Sequence, residues 1–124
     1  MNRIIVDTSS ILFGFANRHS VFESLSKLDV KYMPMVSKGI INELSIISKN
    51  SGAKGASARA GLMEISAKHV EVEDSEIYPD KWIFKRASKG DVAVVTNDTQ
   101  LARKLARSTV VLKLSKDGTL KNFW

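Results

Sequence analysis

A chain of 124 residues has the length of one domain, 1–124, and can bury about two-thirds of the surface its unfolded form exposes, so a core without metal or disulfide is feasible. With 44% hydrophobic and 26% charged residues it has an ordinary globular composition; no apolar run nears the roughly 18 residues of a membrane span, no signal peptide is expected, and the lack of cysteine excludes disulfide scaffolds, zinc ribbons and thiol nucleophiles. Nineteen basic against 13 acidic residues leave +6 and a pI near 9.7, a surplus that points to a polyanionic partner, nucleic acid before membrane.

The surplus is unevenly placed. Residues 1–70 carry 9 basic and 5 acidic side chains, residues 71–80 none and 5, and residues 81–124 carry 10 and 3. Glu71, Glu73, Asp74, Glu76 and Asp80 thus form an acidic island, expected as a solvated loop or edge strand except for Asp80.

In chain order, Arg3–Val6 is a short apolar run that ends at Asp7-Thr8-Ser9-Ser10, the pattern of a buried strand stopping at a polar turn. Ser20 and Glu23 form a capping-box pattern that opens a helix to about Leu28. Val30–Val36 is β-prone but broken by Pro34, which predicts a short, edge-like strand. Ser37 caps a helix through Ile47 with Ile40, Leu44 and Ile47 on one stripe. Asn50–Gly55 is a loop, and Ala56–Lys68 is a helix weakened by Gly61. His69–Val72 is a weak strand entering the acidic island. Tyr78-Pro79 turns the chain into a helix opened by Asp80, running to Lys89 and stopped by Gly90. Val92–Thr96 is the strongest strand signal, apolar enough to be buried on both faces. Thr99–Ser108 is a helix, Thr109–Leu114 a strand, and Asp117-Gly118 a turn pairing it with Thr119–Trp124. This alternation predicts a parallel α/β sheet with helices on both faces.

Ligands of open α/β sheets bind beyond the carboxyl ends of the strands. Asp7 and Asp98 fall there, although an acid after a strand is often only the N-cap of the next helix, and Asp80 has the same alternative. Glu43 is inside a helix. With Ile40 as origin, Ile46, Glu43 and Ile47 fall at about 240°, 300° and 340°, so the carboxylate borders the buried stripe; there it either reaches solvent along its stem, the better reading for this residue alone, or needs a partner or a cation. Carboxylates converging at one sheet end repel, and a hard divalent cation with oxygen ligands is the physical remedy. Mg²⁺ or Mn²⁺ so held binds phosphate oxygens and activates water for phosphodiester hydrolysis.

Ile5–Leu12, Asn42-Glu43-Leu44, Asp80–Ile83 and Val95–Leu101, four segments in order along the whole chain, together resemble the PIN-domain nucleases. Ile5-Val6-Asp7-Thr8-Ser9-Ser10-Ile11-Leu12 resembles the opening strand and its Asp-Thr/Ser segment, and Asn42-Glu43-Leu44 the Glu-Leu motif. Asp80-Lys81-Trp82-Ile83 resembles the Asp-x-x-Ile start of an acidic helix, and Val95-Thr96-Asn97-Asp98-Thr99-Gln100-Leu101 the Thr-x-Asp-x-x-Leu motif. The resemblance implies a flavodoxin-like three-layer α/β/α sandwich with a mainly parallel sheet, and metal-dependent endonucleolytic cleavage of RNA. It carries over Asp7, Glu43, Asp80 and Asp98 as catalytic, metal-binding acids for one or two Mg²⁺ or Mn²⁺ ions. Thr8, Ser9, Thr96 and Asn97 carry over as polar groups that orient ligands or substrate. Gln100 stands where toxin-type members often have another acid, and Lys81 where ribosome-biogenesis members often have a second one; both departures bear on the number of metals. An antitoxin or a ribosome-assembly partner, a homodimer and a cytoplasmic setting are further expectations of the resemblance, with no membrane partner.

The helix expected at Thr99–Ser108 sets Leu101 and Leu105 opposite Arg103, Lys104 and Arg107. This stripe, with Lys85, Arg86 and Lys89, is expected to track an RNA backbone unless it is simply a solvated face. Trp82, Tyr78 and Trp124 are candidates for stacking bases, although burial is the commoner fate of an aromatic. His19 and His69 read as surface residues. A non-catalytic RNA-binding or assembly module is the alternative. A receiver-like phosphoacceptor or an Asp-x-Asp phosphatase fails because Thr8 and Ser9 follow Asp7. The Ser51–Gly55 segment lacks the Gly-Lys-Ser/Thr ending of a phosphate loop.

Overall fold

The expected alternation resolves, in the computed structural model, into six strands and six helices among the described residues, 2–124. Strand β1 (Asn2–Val6) leads into helices α1 (Thr8–Ala16) and α2 (Val21–Ser26), then β2 (Tyr32–Ser37), α3 (Lys38–Ser48), α4 (Ala53–Ala67) and β3 (Glu71–Glu73). Helix α5 (Pro79–Ala87), β4 (Val92–Val95), α6 (Thr99–Leu105), β5 (Val111–Leu114) and β6 (Leu120–Asn122) complete the order.

The sheet runs β3-β2-β1-β4-β5-β6, parallel throughout except for β6. From β1 the chain crosses outward through β2 to β3, then returns to β4 on the other side of β1 and moves outward to β5 and β6. Right-handed crossovers in these two directions put α1–α4 on one face and α5–α6 on the other. The packing agrees, since α4 lies against α1 and α3, while α5 lies against β4 and α6. The result is a three-layer α/β/α sandwich. Ile4, Ile5, Val94 and Val95 are fully buried at its centre, with Ile11, Ile40 and Leu44 from one helix layer and Ile83, Leu101 and Leu105 from the other.

Several elements depart from the sequence expectations for identifiable reasons. The segment after Asp7 is not a turn but helix α1. TSSILFGFA carries no charge and several weak helix formers, so propensity does not announce it. Packing forms it instead: Ile11 is fully buried, and a Cβ on Gly61 of α4 would come within 2.5 Å of its Cγ2. Strand β2 is interior rather than an edge. Pro34 is tolerated because β3 pairs only with Met35–Ser37, so at Pro34 β2 has β1 as its one neighbour. Helix α4 begins at Ala53, inside the expected loop, and α6 ends at Leu105 rather than Ser108. Ser20 caps α2 through the Glu23 amide, but the Glu23 carboxylate does not reach back; it pairs with Lys68 at 2.7 Å. Helix α5 starts at Pro79 in the first turn, so Asp80 is already helical and is not its cap. No helix among the described residues is long and apolar enough to cross a membrane.

Candidate active site

The chain leaves β1 and β4 in opposite directions, so the crevice beyond their adjacent carboxyl ends is the switch point of the sheet. Val6 pairs with Val95 in register, and the Asp7 amide donates to the Val95 carbonyl at 3.0 Å. Asp7 and the Thr96–Asp98 loop therefore emerge side by side. Glu43 reaches the same place from the second turn of α3, and Asp80 from the first turn of α5. These four acids, with Thr8, Ser9, Leu12, Ile47, Lys54 and Tyr78, line one open cleft of about 290 Å³.

Asp7 is the buried member, 5% exposed. It occupies the N-cap position of α1 but does not cap it. Its Oδ2 instead accepts from Ser9 Oγ at 2.5 Å and Thr96 Oγ1 at 2.7 Å. Those hydroxyls are themselves filled as acceptors, by the Asn97 amide and the Asp98 amide, both at 3.0 Å. The two hydroxyl oxygens also lie 3.2 Å apart, so Ser9, Thr96 and the Asp7 carboxylate form one hydrogen-bonded cluster. The arrangement fixes Oδ2 and leaves Oδ1 outside both bonds. Burial pushes the Asp7 carboxyl above the usual carboxylate range, the hydroxyls of Ser9 and Thr96 pull it back, and the charges of Asp80 and Glu43 push it further up.

Asp98 shows that capping and cleft lining coexist. Its Oδ1 accepts from the Gln100 and Leu101 amides at 2.9 and 3.2 Å, the N-cap of α6, while the residue still lines the cleft. Glu43 is half-buried, as its boundary position suggested, but Ile46 beside it is 68% exposed, so only Ile47 shields that flank. Asp80 is exposed. Among the described residues none of the four acids has a salt-bridge partner, whereas Glu71, Glu73 and Asp74 of the acidic island are paired with Arg3, Arg86 and Lys38. No three acidic or histidine side chains among the described residues close tightly enough to enclose an ion by themselves. Thr8 Oγ1 is buried and has no hydrogen-bond partner.

The remaining expected residues divide. Asn97 is a structural tie: its Oδ1 accepts from Ser10 Oγ and the Leu114 amide, and its Nδ2 donates to the Leu114 carbonyl. Its side-chain amide holds the end of β5 to the loop after β4, next to Asp98. Arg86 is not a free cation. Its guanidinium is bonded to Asp91 at 2.8 Å and Glu73 at 3.1 Å, with the side chain 13% exposed. Its pKa is raised, most by the Asp91 hydrogen bond. Lys85 and Lys89 are exposed around a separate cavity beside the acidic island. Arg103 and Lys104 are exposed on α6, and Arg107 is exposed just beyond its end. Trp82 is buried, donating to Glu73, whereas Tyr78 is 72% exposed at the cleft.

Lys54 is the lining residue that sequence reasoning missed. The Ser51–Gly55 segment has no phosphate-loop ending, but the early start of α4 brings Lys54 to the cleft. The signal was the glycine on either side, Gly52 and Gly55. Gly52 has φ +92°, and a Cβ on Gly55 would lie 1.9 Å from the Asn50 carbonyl oxygen, so both positions require glycine for the turn into α4.

Comparison with known proteins comes to the same region of fold space. A family model described as a PIN-like domain matches residues 4–116. No curated protein matches the chain significantly. Among solved structures, the PIN domain endonuclease Utp24 is similar with a TM-score of 0.79 at 21% identity, over 98% of this chain and 92% of that one. A domain of a functionally unknown protein from Methanocaldococcus jannaschii DSM 2661 is similar with a TM-score of 0.64 at 17% identity, over 93% and 92%. At these identities the structural likeness concerns the fold.

Proposed function

The chain belongs to the PIN-like domain family, and from that premise we propose that it is a Mg²⁺- or Mn²⁺-dependent endoribonuclease whose cation is held by Asp7, Glu43, Asp80 and Asp98. The observation that carries the reading is the meeting, in one cleft at the sheet's switch point, of four acids without salt-bridge partners among the described residues.

The donor set fits a hard divalent ion. All four groups are carboxylates, and the charges of Asp80 and Glu43 act on the buried Asp7, a repulsion that a cation would relieve. The open spacing is also compatible, because Mg²⁺ keeps several waters and needs only one or two direct carboxylate bonds. The unpartnered Thr8 Oγ1 is a hydrogen-bonding group suited to such a water. When bound, the ion would supply Lewis acidity at a phosphodiester and acidify a water. Ser9 and Thr96 hold Asp7 Oδ2 so that Oδ1 is presented in one orientation. Asp98, tied through Oδ1 to the first turn of α6, presents its other oxygen in the same way. Lys54 adds a cation at the rim for a phosphate oxygen. Arg103, Lys104 and Arg107 extend a basic surface from α6, and Arg86 is withdrawn from the RNA-binding set.

The test is cleavage of a panel of RNAs in Mn²⁺ by the wild type, Asp7→Asn and Asp98→Asn. Loss of cleavage in both variants is expected, and equal activity in all three would sink the assignment. The alternative, a non-catalytic RNA-binding or assembly module, draws on the absence of a closed three-acid cage among the described residues. It predicts RNA binding by all three proteins with no cleavage at any metal concentration.

A further inference from the structure

A second cavity, of about 400 Å³, opens on the other side of the Thr96–Asp98 loop from the acid cleft. Asn97 and Thr99, which flank Asp98, form one wall; Lys113, Lys116, Phe123 and Phe13 contribute to the rest. No acid lines it, and its polar remainder is Ser115 with the Asn97 and Thr99 groups. We propose that this cavity is a nucleotide subsite, in which Lys113 and Lys116 hold a phosphate and Phe123 stacks a base of the RNA segment next to the one in the acid cleft. The inference rests on the ribonuclease reading of that cleft.

Three observations support the pairing of roles. First, the two cavities are mechanically joined. The Asn97 side chain bonds both the carbonyl and the amide of Leu114, so the strand end that leads from Lys113 to Lys116 is pinned to the loop that carries Asp98. Second, Lys113 Nζ lies 5.4 Å from the centroid of the Phe123 ring. A cation over an aromatic face in a partly open site is weakly held, and the lysine has no salt bridge among the described residues. An incoming nucleotide offers a better partner to each group: a phosphate oxygen to the ammonium, and a base to the ring face the ammonium leaves. Third, Phe123 is held for the task, since its amide donates to the Val111 carbonyl at 2.9 Å and fixes its backbone to β5. Trp124, 64% exposed, lies beside it with ring centroids 4.9 Å apart and the planes tilted by 56°. Stacking of this kind requires an unpaired base, because a duplex keeps its bases against one another.

The experiment is fluorescence anisotropy of labelled hexauridylate, and of the same hexamer with every base removed, in EDTA so that neither metal binding nor cleavage enters. Lys113→Ala with Lys116→Ala is expected to weaken both probes about tenfold at low salt and to lower the log–log salt slope by about 1.4, the loss of two phosphate contacts on a single strand. Phe123→Ala is expected to weaken the base-bearing probe by roughly 5- to 100-fold while leaving the abasic probe within about twofold. Phe123→Trp, which keeps a stacking face, should restore the base-bearing affinity and so separates stacking from damage to the strand end. Wild-type affinity in both the lysine pair variant and Phe123→Ala would overturn the subsite, as would equal weakening of the two probes by Phe123→Ala. These results are distinguishable from failure of the cleft reading. A protein that binds as described but cleaves nothing in Mn²⁺ refutes the ribonuclease and keeps the subsite. One that cleaves, yet binds unchanged after these substitutions, refutes the subsite alone.

Discussion

Thr96→Val tests the claim that Asp7 is held by hydroxyls rather than by a counter-ion. Thr96 is fully buried, and valine replaces its hydroxyl by a methyl group of similar size, so the core shape is preserved. Three hydrogen-bonding contacts of the hydroxyl vanish: the 2.7 Å bond to Asp7 Oδ2, the 3.0 Å bond accepted from the Asp98 amide, and the longer 3.2 Å contact with Ser9 Oγ, which adds little. A bond to a charged acceptor contributes about 1.5–3 kcal/mol, and a part-buried amide left without a partner costs about 1 kcal/mol. The buried methyl gained offsets roughly 0.8 kcal/mol. The net destabilisation is then about 2–3 kcal/mol, or roughly 10 °C in melting temperature for a chain of this size. Urea and thermal unfolding in EDTA at pH 7 would measure it, with Thr96→Ser as the control that keeps the hydroxyl and loses only a methyl group. The penalty should shrink toward pH 4, because a protonated Asp7 has no charge for the hydroxyl to stabilise. Thr96→Val as stable as Thr96→Ser at pH 7, or a penalty that does not change with pH, would refute the reasoning.

Asp7→Asn should stabilise the metal-free protein at neutral pH. The folded-state carboxyl titrates above its unfolded value, so its contribution is intact below the unfolded value near pH 4 and is lost as pH rises through the raised folded one. Calorimetry in EDTA should therefore show variant and wild type converging near pH 4 and separating as pH rises, the variant melting higher. Mn²⁺ at about 100 times its dissociation constant should add about 2.7 kcal/mol to the wild type and little to the variant. Arg86→Ala should lower the melting temperature by about 5 °C at pH 7, since it strands Glu73 beside Trp82. Burial pulls the Glu73 carboxyl upward, but bonds from Trp82 and Arg86 outweigh this and hold it low, so its stabilisation is present at neutral pH and lost as pH falls through the depressed value. The Arg86→Ala deficit should correspondingly narrow in acid, and its RNA affinity should match the wild type's.

The parts of the molecule legible in the sequence were those where local pattern and tertiary demand agree. Val92–Val95 reads as a doubly buried strand because its residues permit little else, and Ser37 reads as a cap because its hydroxyl does accept the Ile40 amide. The alternation of strands and helices was enough for a parallel sheet with helices on both faces, and the family resemblance supplied the three-layer sandwich. Helix α1 was not legible, since the packing of Ile11 against Gly61 lies 50 residues away in sequence and has no local sign. The cap ambiguity at the strand ends was also beyond the sequence. Asp7 and Asp98 occupy the same local position, yet one caps its helix and the other is diverted by Ser9 and by Thr96, 89 residues distant. Arg86 likewise looked like one more surface cation until the sheet brought Glu73 within reach of it.

Charge pairing connects these details to the basic surplus. Glu23, Glu64, Glu71, Glu73, Asp74 and Asp91 are each paired with a lysine or arginine, six acids sharing the four cations Arg3, Lys38, Lys68 and Arg86. The four cleft acids have no such match among the described residues. Setting those four aside leaves 19 basic groups against 9 acids, a formal +10 around a pocket of −4. Burying Asp7 in such a pocket is costly, and two hydroxyls only partly offset the cost. Salt bridges to nearby lysines would offset more, but they would also fill the lone pairs that a cation needs. The fold instead carries its surplus cations beside the pocket: Lys54 at the rim, Lys113 and Lys116 across the Asp98 loop. There they attract a phosphate backbone over a distance of about 8–10 Å in physiological salt without closing on the carboxylates. Neutralising the pocket with built-in cations would make the resting protein more stable and the proposed metal site weaker. The separation of charge is thus what ties the composition of this chain to the chemistry proposed for it.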